Sequence, residues 1–296
     1  MLIRQRCLLY MVEYASRPVS HLELTKWAFL LAHEMPSGGG SAFYDFIPYQ
    51  YGPFSFTLFR EIDGLVRDGH LREGAAENVW EREDGIGQCV LNLNVDVQTD
   101  AARVVDRFLD QNHEKLIDYV YSEFPWYTVN SRIRQLANRP SAKPAIFTVG
   151  YEKWSVDRLL DELMRHGIAR IIDVRRNPIA RRYGFHKSTL SRLAGKVGIE
   201  YIHVPELGIP SELRQELNSQ ADYQRLFTRY TDTILPGNTD SVNRVASLVQ
   251  KKASALLCME ADPAQCHRTC LAKAISKLTN LSVKDIRGMR CGPILS

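Results

Sequence analysis

Two hydrophobic periods alternate along this chain. Residues 4–15 and 20–34 place apolar side chains at helical spacing. Ser20 followed three residues later by Glu23 is a capping-box pattern. Residues 51–71, "YGPFSFTLFREIDGLVRDGHL", predict a third helix that starts near Pro53. Phe56, Phe59, Ile62, Leu65 and Val66 form its apolar stripe, and Gly69 closes it. Residues 72–95 predict a short hairpin, and roughly 98–138 predict further helices with a break at "EFPWY" (123–127). Three helices followed by a hairpin is the layout of a winged helix.

Beyond residue 144 the rhythm changes. Short apolar runs at 145–151, 169–174, 200–204, 254–259 and 281–286 predict strands. Amphipathic stretches at 155–168, 187–199, 211–218, 221–234, 239–251 and 263–278 predict helices between them. Ser155 is the expected N-cap of the first, and Pro263 stands in the first turn of the last. Strands alternating with helices predict an α/β domain with a doubly wound, mostly parallel sheet. In such sheets ligands bind beyond the carboxyl ends of the strands. Gly150–Tyr151, Asp173–Arg175, His203–Glu206 and Cys258–Glu260 would therefore share one rim.

Charge divides at the same place. Net charge is +4, from −5 over residues 1–140 and +9 over 141–296. The expected domains are 1–140, a helical interaction unit, and 145–296, the α/β unit, joined through the proline-interrupted "ANRPSAKPAIFTVGY". The basic half is the expected partner of DNA or another nucleic acid, because phosphates select Lys and Arg. The acidic half is expected to meet a protein, or DNA through local basic spots such as Arg60 and Arg67. No apolar run reaches the ~20 residues that span a bilayer. With six cysteines in 296 residues and no signal-peptide layout, a reduced, cytoplasmic protein without membrane contact is expected.

Two stretches carry family resemblances. "IPYQYGPFSFTLFREIDGLVRDGHL" resembles antitoxin and adaptor domains of the Panacea (SocA-like) type, which carry a "YGP" turn before a helix. "TVGYEKWSVDRLLDELMRHGIARIIDVRRNPIARR", "GIEYIHVPELG" and "LLCMEADPAQCHR" resemble the domain of unknown function 488 family over about 146–286. The family's motif positions fall on Asp173, Arg175, Pro178, Arg181, Cys258, Glu260, Pro263, Cys266, His267 and Arg268. The resemblance implies an α/β fold with a cleft at the rim, and no particular reaction. Cys270 stands where that family has an aliphatic residue, so packing is its expected role.

The chemistry concentrates in "CMEADPAQCHRTC" (258–270) and in 174–198, which holds seven Lys/Arg and no acid. Cys266, His267 and Arg268 open a helix whose N-terminal dipole favours thiolates and anions. Cys266 and His267 are candidate catalytic groups, as are the carboxylates Asp173 and Glu260. A cysteine-phosphatase loop is excluded, since six positions beyond Cys266 stands Ala272. A metal is not expected: no CxxC pair exists, and adjacent Cys266 and His267 would diverge on a helix. No cofactor is expected either. Arg175, Arg176, Arg181, Arg182, Lys187, Arg192 and Arg268 are expected on phosphates, with Tyr183 and Phe185 stacking on bases. Gly150, Tyr151, Asn177, Pro178 and Cys258 would line the cleft. The expected function is nucleic-acid binding with processing of a modified base, by glycosidic hydrolysis, in defence against foreign DNA. The rivals are a DNA-binding regulator with a cysteine-based sensor, and an enzyme acting on a small nucleotide.

Overall fold

The computed structural model describes residues 1–83, 93–214 and 217–288. They divide into two compact units, Met1–Asn138 and a second that starts at Arg139.

In the first unit, α1 (Ile3–Ala15) and α2 (His21–Glu34) follow the predicted periodicity, and a short strand that was not predicted, β1 (Val19–Ser20), lies between them. Ser20 caps α2 by accepting from the Glu23 amide, and the Glu23 carboxylate returns to the Ser20 amide, so the capping box is complete. The predicted helix over 51–71 is shorter. β2 (Ile47–Tyr49) and β3 (Gly52–Phe54) pair antiparallel, and α3 runs only from Phe56 to Arg67. Gly52 turns the chain at φ +91°, where a side chain would be strained, and Ser55 caps α3. The predicted hairpin appears as β4 (Leu71–Glu73) and β5 (Val79–Arg82), with residues 84–92 outside the described chain. β5 lies between β1 and β4 in an antiparallel sheet. Then come α4 (Val95–Phe108) and α5 (His113–Glu123), and a 3-10 turn at Pro125–Thr128. The expected helix does not continue to 138. The Ser131 and Thr128 hydroxyls accept from the amides of Ile133, Arg134 and Leu136, taking donors that a helix needs.

The second unit is α/β with an all-parallel sheet of five strands. In chain order it contains β6 (Ile146–Gly150), α6 (Val156–Arg165), β7 (Arg170–Asp173), α7 (Lys187–Lys196), β8 (Glu200–His203), α8 (Gln220–Arg229), the short turn α9 (Leu235–Gly237), α10 (Thr239–Lys251), β9 (Ser254–Cys258), α11 (His267–Thr279) and β10 (Val283–Ile286). The strand order is β10-β6-β9-β7-β8. β6, β7 and β9 are buried at every position, as expected for a parallel sheet covered on both faces. On one face Ile146, Ile172 and Leu256 pack with Val245 and Val249 of α10 and Leu271 and Ile275 of α11. Two predicted helices differ. In the predicted helix 211–218, Ser211–Arg214 form a 3-10 turn, and residues 215–216 lie outside the described chain. Pro263 belongs to a separate 3-10 turn, Pro263–Gln265, before α11. No helix among the described residues is long and apolar enough to cross a membrane.

Candidate functional site

The rim residues do lie at the carboxyl ends of the strands, but the sheet sorts them to two faces. Cys258 pairs in register with Gly150, whereas Asp173 pairs with Leu257 and His203. Side chains alternate along a strand, so Asp173 and Cys258 project to opposite sides. One expected site is therefore two clusters.

The first is an ion-pair knot. The Asp173 carboxylate, fully buried, accepts from the Arg175 amide at 3.1 Å, from Arg175 Nε at 2.8 Å and Nη2 at 2.5 Å, and from the Tyr201 hydroxyl at 2.5 Å. Arg175 Nη1 donates onward to the Tyr151 hydroxyl at 2.7 Å and the Phe185 carbonyl at 3.0 Å. The Tyr151 and Phe185 rings stack at 4.0 Å. Burial, and then the Asp173 charge, push the Tyr201 phenol up, so it remains a neutral donor. Both Asp173 oxygens are occupied by hydrogen bonds within the protein and shielded from solvent. Arg175 and Phe185 are buried too and cannot meet a phosphate or a base.

The second cluster lies on the face that α11 covers. Cys258 Sγ and Glu260 Oε2 share a hydrogen bond at 3.0 Å, and Cys258 Sγ lies 3.8 Å from His267 Nδ1. Cys258 Sγ, Cys266 Sγ and a His267 ring nitrogen all lie within 4.8 Å of one another. The expectation that Cys266 and His267 diverge fails for a local reason. Cys266 is the N-cap of α11, with extended φ −134° and ψ 132°, so only His267 follows helical geometry. His267 Nε2 meets the Val174 carbonyl at 3.1 Å. A carbonyl only accepts, so Nε2 carries a proton, and Nδ1 faces Cys258. Cys258, not Cys266, is the thiol held well below its usual range. The Cys266 thiol hydrogen-bonds to it, and His267 adds charge and a hydrogen bond, against the cost of burial. Burial, and then Cys258, push Cys266 well up. The same two causes raise Glu260, whose other oxygen faces Arg214 at 3.4 Å.

Arg268 is a clamp rather than a phosphate ligand. It is fully buried, donates to the carbonyls of Glu260 and Ala261, and lies 3.6 Å from Asp285. Gly150 makes room for this clamp, since any Cβ there would collide with the Glu260 carbonyl and crowd Arg268. Gly150→Ala is expected to cost about 1–3 kcal/mol through overpacking against backbone. Urea unfolding checks this, and an unchanged midpoint would mean that the Glu260 loop yields freely.

The remaining basic residues stay on the surface. Arg176, Arg181, Arg182, Lys187 and Arg192 are exposed, as is Asn177. Tyr183 is half-buried and Pro178 buried. Arg182 donates to the Trp154 carbonyl. Lys187 and Arg192 line an open groove of about 660 Å³ along the edge strand β8. His186, Ser188, Ser191, Tyr201, Ile202, His203 and Arg244 complete it, with no carboxylate among them. Arg244 comes from α10 and carries no signal in the sequence. His203 was legible as a strand-end residue, and Tyr201 only as part of the predicted strand 200–204. His203 Nε2 meets the Arg175 carbonyl at 2.9 Å, so a histidine on each face holds the 174–175 backbone. Cys270 packs half-buried against the α10–α11 core.

Residues 155–275 match the family described as domain of unknown function DUF488. The match runs from α6 into α11, within the stretch whose motifs resemble that family. No curated protein and no solved structure matches the chain.

Proposed function

We propose that the C-terminal unit binds nucleic acid along the β8 groove and processes a modified base, with Glu260 in place of Asp173 as the working carboxylate. The observation that carries this reading is the groove itself. Lys187, Arg192, Arg244, His186 and His203 line it without a compensating acid, which suits a phosphate backbone. Glu260 is partly exposed, and burial, then Cys258, raise it above the usual carboxylate range, the direction that suits a general acid. Glycosidic hydrolysis needs one such group to protonate the leaving group. The defence role rests on this chemistry.

The first unit supports a winged-helix-like reading by its order α1-β1-α2-α3-β4-β5, interrupted between α2 and α3 by the β2–β3 pair, with β5 central in its three-stranded sheet. Its acidic balance favours a protein partner. A second reading, a thiol sensor without turnover, draws on the hydrogen bond between Cys266 and Cys258.

Binding of an end-labelled duplex and a single strand, followed by anisotropy across a salt series, tests the groove. Replacing Lys187, Arg192 and Arg244 by alanine should flatten the salt slope by about 0.9 for each phosphate that is no longer neutralised. An unchanged slope would place the nucleic acid elsewhere. Alkali-dependent breaks in strands carrying modified cytosine test the chemistry. Glu260→Gln should abolish the breaks and retain binding. Intact strands despite tight binding by the wild type would end the glycosylase reading and favour the sensor.

A further inference from the structure

We propose that Cys258, Cys266 and His267 form a binding site for a thiophilic divalent metal ion, zinc foremost, with Glu260 at its fourth corner. The donors come from two elements, the carboxyl end of β9 and the N-terminus of α11. They are buried, and their ligand atoms lie within 4.8 Å of one another. A tetrahedral zinc ion with ordinary bond lengths separates its sulfur and nitrogen ligands by about 3.6 Å, and two sulfurs by about 3.8 Å. Cys258 Sγ and His267 Nδ1 are 3.8 Å apart. With all three donors within 4.8 Å of one another, closing the widest pair to these distances takes about 1 Å at most.

Three further features point to a ligand. First, His267 is anchored at its far nitrogen by the Val174 carbonyl. Histidines that ligate metals are held in this way, which fixes the tautomer and aims the free lone pair. Second, the electrostatics close. Two thiolates neutralise a divalent cation, and Arg214 faces the charge that a Glu260 carboxylate adds, so the assembled site carries no net charge. Third, Glu260 Oε2 already faces Cys258 Sγ at 3.0 Å, while Arg214 steadies the other oxygen. A carboxylate there can take the fourth position or receive a proton from a water that does. Two thiolates and an imidazole select zinc or cobalt over magnesium or calcium. On binding, the ion replaces the protons of both thiols, which leave to solvent, and no electron is transferred.

The test uses the full chain, reduced and stripped with chelator, then given zinc or cobalt and separated from free metal by gel filtration. About one equivalent of zinc should remain on the folded protein. The cobalt form should show tetrahedral d–d bands and thiolate-to-cobalt charge transfer. Removing one of two thiolates, in Cys258→Ser or Cys266→Ser, should roughly halve the charge-transfer intensity, while Cys270→Ser leaves it unchanged. A measurement on the wild type guards against variants that misfold. Zinc should protect Cys258 and Cys266 together from alkylation, and leave Cys270 unprotected. Folded protein that retains no metal would overturn the proposal. So would cobalt without charge transfer, or a Cys258–Cys266 disulfide that forms equally with zinc present. No nucleic acid enters these measurements, so their failure is distinct from failure of the groove.

Discussion

Asp173→Asn is expected to destabilise the C-terminal unit by about 3–5 kcal/mol, the cost of stripping one partner from a buried ion pair. Asp173 is fully buried and Arg175 nearly so. The carboxylate takes four hydrogen bonds, three from Arg175 and one from Tyr201. Asparagine keeps the shape and loses the charge. It also turns an amide donor toward a guanidinium that has nothing but donors, so Arg175 becomes an uncompensated buried cation. The loss should spread to Tyr151 and Phe185, because Arg175 bonds both. Exchanging both members, as in Asp173→Asn with Arg175→Met, should cost less than the sum of the single changes, since the second removes the orphaned charge. Urea unfolding of the four proteins gives the cycle. An Asp173→Asn protein as stable as the wild type but without turnover would restore Asp173 as a catalytic group.

The second large effect belongs to the first unit. Lys26 on α2 is almost wholly buried, and its ammonium donates to the Tyr51 carbonyl at 2.6 Å. Burial pulls it down to about 7. The unfolded chain holds this proton up to about pH 10.4. Between these limits the unfolded state binds a proton that the folded state does not, so stability rises with pH across that window. Below pH 7 both states are protonated, and the full penalty, on the order of 4–5 kcal/mol, is in place. Lys26→Met should therefore be about 2–4 kcal/mol more stable at neutral pH, after the missing hydrogen bond to Tyr51 is offset. It should also lack the wild type's rise between pH 7 and 9. Urea midpoints at those two pH values check both statements. A flat wild-type profile and a weaker methionine variant would show that the Tyr51 carbonyl accommodates the charge without penalty.

Several features were readable from residue order because they depend on neighbours a few positions apart. The capping box at Ser20 and Glu23, the N-cap at Ser155 and the alternation of strand and helix beyond residue 144 are local. So are the basic run that supplies Lys187 and Arg192 to the groove, and the placing of Asp173 and Cys258 at strand ends. The helix expected through 138 failed because side-chain hydroxyls outcompeted the backbone for its own amides, a contest that periodicity does not register. Tertiary structure alone decided the rest. Strand register sent Asp173 and Cys258 to opposite faces. Burial gave Arg175 and Arg268 to internal partners instead of phosphate. The extended cap conformation of Cys266 aimed it at Cys258, and α10 delivered Arg244 to a groove far away in sequence. The physical reason is common to all four. Residue order shows which side chains are polar, but only packing determines whether each is satisfied by another side chain or left to meet a ligand.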